Sequence, residues 1–206
     1  MKNLYSNFLL LISDFISLTL LMFHNFNTIL QKITRQPHGV HSPFAYSFLK
    51  RVIFEKEKGG SCSKFEGLLY RICKHLKPET IIIAGITKPE IILAFEKAAP
   101  KARVTQTGEV DDYALINSRG NGEINLAFFS NTLTHNKLTL FFEEGIKQCN
   151  SKSVFIIDDI RNGKKKRLVW DKIITYPKPT MILDFNKFGI IFFDKKLSKE
   201  LIKVGF

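Results

Sequence analysis

The stretch Thr80-Ile81-Ile82-Ile83-Ala84-Gly85 decides the fold. A short run of β-branched apolar residues that stops at a glycine reads as a strand buried on both faces. Before it, Lys64 to Leu76 carries Phe65, Leu68, Leu69, Ile72 and Cys73 at helical spacing and stops ahead of Pro78. After it, Glu90 to Ala99 predicts a helix and Ala102 to Thr107 a second strand. The alternation resumes with a strand over Ile124 to Phe129, a helix over Leu138 to Cys149, a strand over Ser153 to Ile157 and a helix over Lys164 to Ile174. Short apolar strands alternating with helices predict an α/β domain with a mostly parallel sheet covered on both faces. Finally, Thr180 to Phe185 and Gly189 to Phe193 flank Asn186-Lys187-Phe188, the length of a hairpin connection, so an antiparallel hairpin is expected to close the sheet.

Working outward toward the N-terminus, residues 27–36 predict a short amphipathic helix that ends at Gln36-Pro37, because the residue before proline avoids the helical region. His38-Gly39-Val40-His41-Ser42-Pro43-Phe44 is a loop that starts a further helix over about 44–54, with Ser42 as its cap and Pro43 in its first turn. Glu55 to Ser63, with Gly59-Gly60, reads as a loop. The expected organisation is therefore an N-terminal apolar and amphipathic segment over 1–36, a helical lead-in over 37–76 and a Rossmann-like domain over 77–206, forming one globular unit.

Residues 8–23 are apolar apart from Asp14 and a few hydroxyl residues. The run is short for a transmembrane helix, which needs about 20 apolar residues, and no small-residue cleavage site follows it. It suits a helix that packs on the domain or lies on a membrane surface. Met22 offers an alternative start, which would remove most of this segment.

The 206 residues carry a formal charge of +12, enough to attract polyanions through the summed surface field. The densest run, Lys164-Lys165-Lys166-Arg167, has no accompanying helix-turn-helix pattern or aromatic-and-basic motif, which argues against nucleic acid as the partner. Cys62, Cys73 and Cys149 are widely spaced and odd in number, so they suggest neither a disulfide framework nor a zinc cluster, and a reducing cytoplasm fits best. His38 and His41 are three residues apart, but without a third ligand in view they make a weak metal pair and read as structural hydrogen-bonding groups. No metal is assigned.

The signature His38 to Phe44 (HGVHSPF), with Ile157-Asp158-Asp159-Ile160-Arg161 and Gly189-Ile190-Ile191-Phe192-Phe193, resembles a Bacteroidetes-type family of bacterial class I S-adenosylmethionine-dependent methyltransferases. The resemblance spans residues 27–206. It implies a Rossmann-like class I methyltransferase fold, S-adenosylmethionine as cofactor, and transfer of its methyl group to an unidentified acceptor. In that family the first strand runs into an acidic residue, an apolar residue, a glycine, three residues and a second glycine. Here those places fall at Ile83, Ala84, Gly85 and Pro89, so only Gly85 is kept. The ribose-binding acid falls at Gly108, with Glu109 one position beyond.

Where the resemblance places an acid at the end of the strand Ile124 to Phe129, this chain has Ser130, followed by Asn131 and Thr132. Gly85, Glu109 and Ser130 are thus the cofactor-side candidates. Asp158 and Asp159, retained at the end of the next strand, are the candidate catalytic groups. After Asp111-Asp112 only Tyr113 to Glu123, with a turn at Gly120-Asn121-Gly122, precedes the next strand, so one strand-helix unit is expected to be missing. Two functions follow: a methyltransferase-family protein with weakened or lost cofactor binding, or a non-catalytic interaction module on that scaffold. An open crevice at Ala84 to Pro89 would favour an enzyme, and a filled one a scaffold.

Overall fold

A computed structural model describes residues 36–55, 64–108 and 124–205, together with Ile16, Thr19, Leu21, Met22, Phe23, Asn25 and Ile29. Most of the segment over 8–35, Cys62, Glu109 and the short connection Tyr113 to Glu123 lie outside the described residues.

The described elements are α1 (Pro43–Phe48), α2 (Lys64–Leu76), β1 (Thr80–Ala84), α3 (Pro89–Ala98), β2 (Arg103–Thr107), β3 (Ile124–Phe129), α4 (His135–Gln148), β4 (Cys149–Asp158), α5 (Gly163–Ile173), β5 (Met181–Asp184), β6 (Phe188–Phe192) and β7 (Glu200–Lys203). The strands form one sheet in the order β2-β1-β3-β4-β6-β5-β7. The pairs β1 with β2, β1 with β3, β3 with β4 and β5 with β7 are parallel, while β6 runs antiparallel to both β4 and β5. The mostly parallel sheet and its C-terminal hairpin are as expected, and among the described residues no strand lies beyond β2. The edge strand β7, absent from the sequence expectation, joins β5 in register from Met181 against Glu200 to Asp184 against Lys203. Its residues Glu200-Leu201-Ile202-Lys203 alternate, with Ile202 buried and Leu201 exposed, a half-buried edge pattern too short to stand out.

Alternation of side chains divides the sheet between two cores. Ile81 and Ile83, Leu126 and Phe128, Val154 and Ile156, and Ile190 and Phe192 face one side, where α1, α2 and α3 supply Phe48, Leu68, Ile72, Ile91 and Phe95. Ile82 and Ala84, Ala127 and Phe129, Phe155 and Ile157 face the other, under Phe141 and Phe142 of α4 and Trp170 and Ile173 of α5. This two-sided burial is why the strands read as continuous apolar runs.

The lead-in belongs to the same core. Ser42 caps α1 by accepting from the Ala45 N–H at 3.3 Å, with Pro43 in the first turn, as expected. α1 then widens into a π-helical turn over Leu49–Ile53 rather than continuing as α-helix to residue 54. Such a turn leaves carbonyls unpaired at its end, and Arg71 of α2 donates to the carbonyls of Val52 at 2.9 Å and Ile53 at 3.4 Å. Phe44 and Phe48 set their rings edge-on against Phe192, at centroid distances of 5.2 and 5.3 Å.

β4 starts at Cys149, four residues before the sequence expectation. The polar residues 150–153 are held at a register shift against β3, where the Asn150 N–H donates to Ser153 Oγ at 2.8 Å and Ser153 Oγ donates to the Ile124 carbonyl. The helix expected to end at Cys149 correspondingly runs from His135, capped by Thr134, to Gln148. No helix among the described residues is long and apolar enough to cross a membrane.

Candidate functional site

β1, β3 and β4 run parallel, and each is followed by a helix, α3, α4 and α5, whose N-terminus opens at the same edge of the sheet. In open α/β sheets this C-terminal edge is where ligands bind. Gly85, Ser130, Asp158 and Asp159 all stand there, one after β1, one after β3 and two at the end of β4, so these expected candidates are brought to one edge. Glu109 lies outside the described residues, and Gly108, exposed after β2, supplies no carboxylate.

Gly85 takes the left-handed conformation, φ +90°, which a residue with a Cβ adopts only under strain. Its N–H donates to the Thr107 carbonyl at 2.7 Å and its own carbonyl accepts from Gln106 Nε2 at 2.9 Å, which ties the turn to the end of β2. On the other side, the side chain of Leu133 and Thr132 Oγ1 come within 3.0 and 3.2 Å of the place a Cβ on Gly85 would occupy. The next carbonyl, of Ile86, accepts from both Ser130 Oγ at 2.5 Å and Thr132 Oγ1 at 2.7 Å. Ser130 is itself buried, and its N–H donates to the Ala84 carbonyl at 2.9 Å. The turns after β1 and β3 are therefore laced directly to each other.

A cofactor held as the resemblance implies would need backbone groups of the β1 turn turned toward it, a glycine at the first turn of α3 and an acid after β2. Here the Gly85 N–H is taken by the Thr107 carbonyl and the Ile86 carbonyl by Ser130 and Thr132, and Leu133 packs beside Gly85. Pro89 opens α3 without an N–H, and the position of the acid is Gly108. Of the positions that pattern names, Gly85 alone is kept among the described residues. The side chains nearest Gly85 are those of Leu133 and Thr132, while Ile86 is 74% exposed.

The β4 end is different in character. Burial, with the charge of Asp159 second, pushes the Asp158 carboxyl up from the ordinary 3.8 to about 6, against the opposing pull of the Asp159 N–H, Lys166 and Lys88. Asp159 takes a left-handed backbone, φ 57°, and its carboxylate accepts from Asn162 Nδ2 at 2.7 Å and lies 4.0 Å from Lys166 Nζ. Asp159 thus closes the turn into α5 while Asp158 is the carboxyl with an altered proton affinity.

Below them sits a group with little sequence signal. Asp184, buried at the end of β5, accepts through Oδ2 from Arg161 Nη2 at 2.6 Å and Trp170 Nε1 at 3.0 Å, and through Oδ1 from the Asn186 N–H at 2.8 Å. The six-membered ring of Trp170 packs against Gly189, where a Cβ would meet the indole at 2.1 Å. The Gly189 and Arg161 of the signature therefore serve this packing unit.

His38 and His41 are exposed in the lead-in loop. Among the described residues no three His, Cys, Asp or Glu side chains come together as a metal site. Cys73 and Cys149 are buried, and burial pushes the Cys73 thiol up to about 12 and the Cys149 thiol upward, which suits core thiols and not nucleophiles.

No protein-family model matches the chain, and no curated protein matches it. Solved structures do. The O-methyltransferase TomG from Streptomyces achromogenes, involved in tomaymycin synthesis and solved with S-adenosylmethionine, superposes with a TM-score of 0.52 at 11% identity, over 65% of this chain and 81% of that one. MycE, a methyltransferase of the mycinamycin biosynthetic pathway solved with Mg and S-adenosylhomocysteine, matches with a TM-score of 0.51 at 9% identity, over 78% of this chain and 57% of that one. At such identities the likeness speaks for architecture alone. The chain has the Rossmann-like fold of class I methyltransferases, a seven-stranded mixed sheet with antiparallel C-terminal strands.

Proposed function

We propose that this protein is a methyltransferase-fold member whose cofactor cleft has closed on itself, leaving cofactor binding weakened or lost and the scaffold working as a non-catalytic interaction module. The observation that supports this most is the Ile86 carbonyl, which takes hydrogen bonds from both Ser130 and Thr132 while Leu133 packs on Gly85. Opening that junction for a ligand would break two hydrogen bonds to a part-buried carbonyl, each worth about 1 kcal/mol net. Calorimetric titration with S-adenosylmethionine and with S-adenosylhomocysteine tests it. No heat up to millimolar ligand is expected, and micromolar binding of either would sink the closed-cleft reading.

A second reading, a methyltransferase that keeps its activity toward an unidentified acceptor, draws on one observation, the Asp158 carboxyl held at about 6. A carboxylate with that proton affinity is suited to take a proton from an acceptor nucleophile near neutral pH. The same titration separates the two.

A further inference from the structure

The edge that carries the candidate site is also lined with cations. Lys88 stands at the N-cap position of α3, Lys137 lies in the first turn of α4 and reaches the Gly108 carbonyl at 3.1 Å, and Lys166 reaches the Asn131 carbonyl at 2.6 Å. Lys187 sits in the β5–β6 turn, where its carbonyl accepts from the Ile160 N–H at 2.9 Å beside Asp159. Lys164 and Lys165 are exposed in the first turn of α5, which holds no acidic residue. Cations at a helix N-terminus oppose the helix dipole, so placing lysines there is a local cost that an external anion would relieve. Among the described residues the facing acids are Asp158, Asp159 and Glu90, fewer than the six lysines, and the whole chain carries +12.

Apolar groups stand exposed among these lysines. Ile86 is 74% exposed between Gly85 and Lys88, and Leu168, 59% exposed, lies one turn along α5 from Lys164 on the same face. Among the described residues no large aromatic is exposed at this rim for stacking a base. Independently, the described residues of the N-terminal segment are helical and exposed, with Leu21 at 52%, Met22 at 64% and Phe23 at 63%. Lysines around protruding aliphatic side chains, plus a separate exposed apolar segment, make the pair of signals that holds a protein on a charged bilayer, where either alone is marginal.

We propose that the protein docks on anionic lipid bilayers, the lysine rim at the C-terminal edge of the sheet meeting lipid headgroups and Met22 and Phe23 entering the interface. This deepens the interaction-module reading by naming the partner of the same edge.

The test is co-sedimentation of the full chain with phosphatidylcholine vesicles, with and without phosphatidylglycerol. Binding is expected only when the anionic lipid is present, and to weaken with salt. Each basic residue at such a surface is worth about fivefold in binding. The exposed-site variant K164Q/K165Q/K187Q should therefore lose roughly a hundredfold, and M22D/F23D should also release the protein, both with unchanged circular dichroism. Equal pelleting with neutral vesicles, no pelleting with anionic ones, or full binding by the lysine variant would overturn the proposal. So would capture of single-stranded RNA in place of vesicles, or a stable dimer in solution that M22D/F23D converts to monomer without any vesicle binding. Failure here leaves the calorimetric result untouched, so the closed cleft and the lipid partner stand or fall separately.

Discussion

Replacing Asp158 with asparagine tests the electrostatics of the β4 end. The carboxyl titrates at about 6 in the folded protein against an ordinary 3.8, so the fold prefers its neutral form. Between these values the folded chain binds more protons than the unfolded one, and stability contributed by this group is present at low pH and falls as pH rises through the window from about 4 to 6. Above pH 6 both states are ionised and the penalty is complete. A difference of about two in pKa corresponds to roughly 3 kcal/mol as an upper bound. Asp158 is half-buried, with Lys88 and Lys166 opposing the penalty, so a gain of about 1–2 kcal/mol is the working figure after solvent screening.

D158N keeps the shape and removes the charge. Urea unfolding of both proteins should show the variant more stable at pH 7.5 by that amount, and the two nearly equal at pH 4. A variant destabilised equally at both pH values would refute the reasoning, because it would mean that Asp158 acts as a hydrogen-bonding cap and not as a buried charge. So would curves that coincide throughout.

Three further outcomes follow from the packing. G189A places a methyl 2.1 Å from the Trp170 ring, whose indole N–H is fixed on Asp184; it should cost about 3 kcal/mol in chemical unfolding, and G189A/W170F should recover part of that loss. D184N removes the charge that holds Arg161, whose Nη1 is already buried without a hydrogen bond; a loss of about 2–3 kcal/mol is expected, below the range for fully buried pairs because Arg161 is partly exposed, and an unchanged midpoint would contradict the buried pair. S130A/T132A strips both donors from the Ile86 carbonyl and should speed amide hydrogen exchange over Ile86 to Glu90 while costing about 1–2 kcal/mol; unchanged exchange would show that the two turns are not laced by these hydroxyls.

What the sequence by itself determined was the order of elements and the layer architecture. Runs such as Ile81-Ile82-Ile83 and Phe155-Ile156-Ile157 are apolar on both faces because helices cover both, and period, length and punctuation by Pro78 and Gly85 carry that information locally. Ser42 and Pro43 announced α1 for the same reason, since a cap is a contact over three residues. Placement of Gly85, Ser130, Asp158 and Asp159 at one edge follows from parallel strands and needs no distances.

Only the tertiary structure decided what those residues touch. Ser130 meets Ile86 across a sequence separation of 44, and Asp184 meets Arg161 across 23. No local pattern encodes such pairings, because they depend on how two turns from different strands approach. The same holds for β7, whose four residues become a strand by pairing with β5, and for Gly189, which is required by Trp170 and not by its own turn. Ile83 and Pro89, where the resembled pattern has an acid and a glycine, could be read along the chain. That Leu133 and Thr132 come closest to Gly85 is a fact of packing, set where β1 and β3 lie side by side.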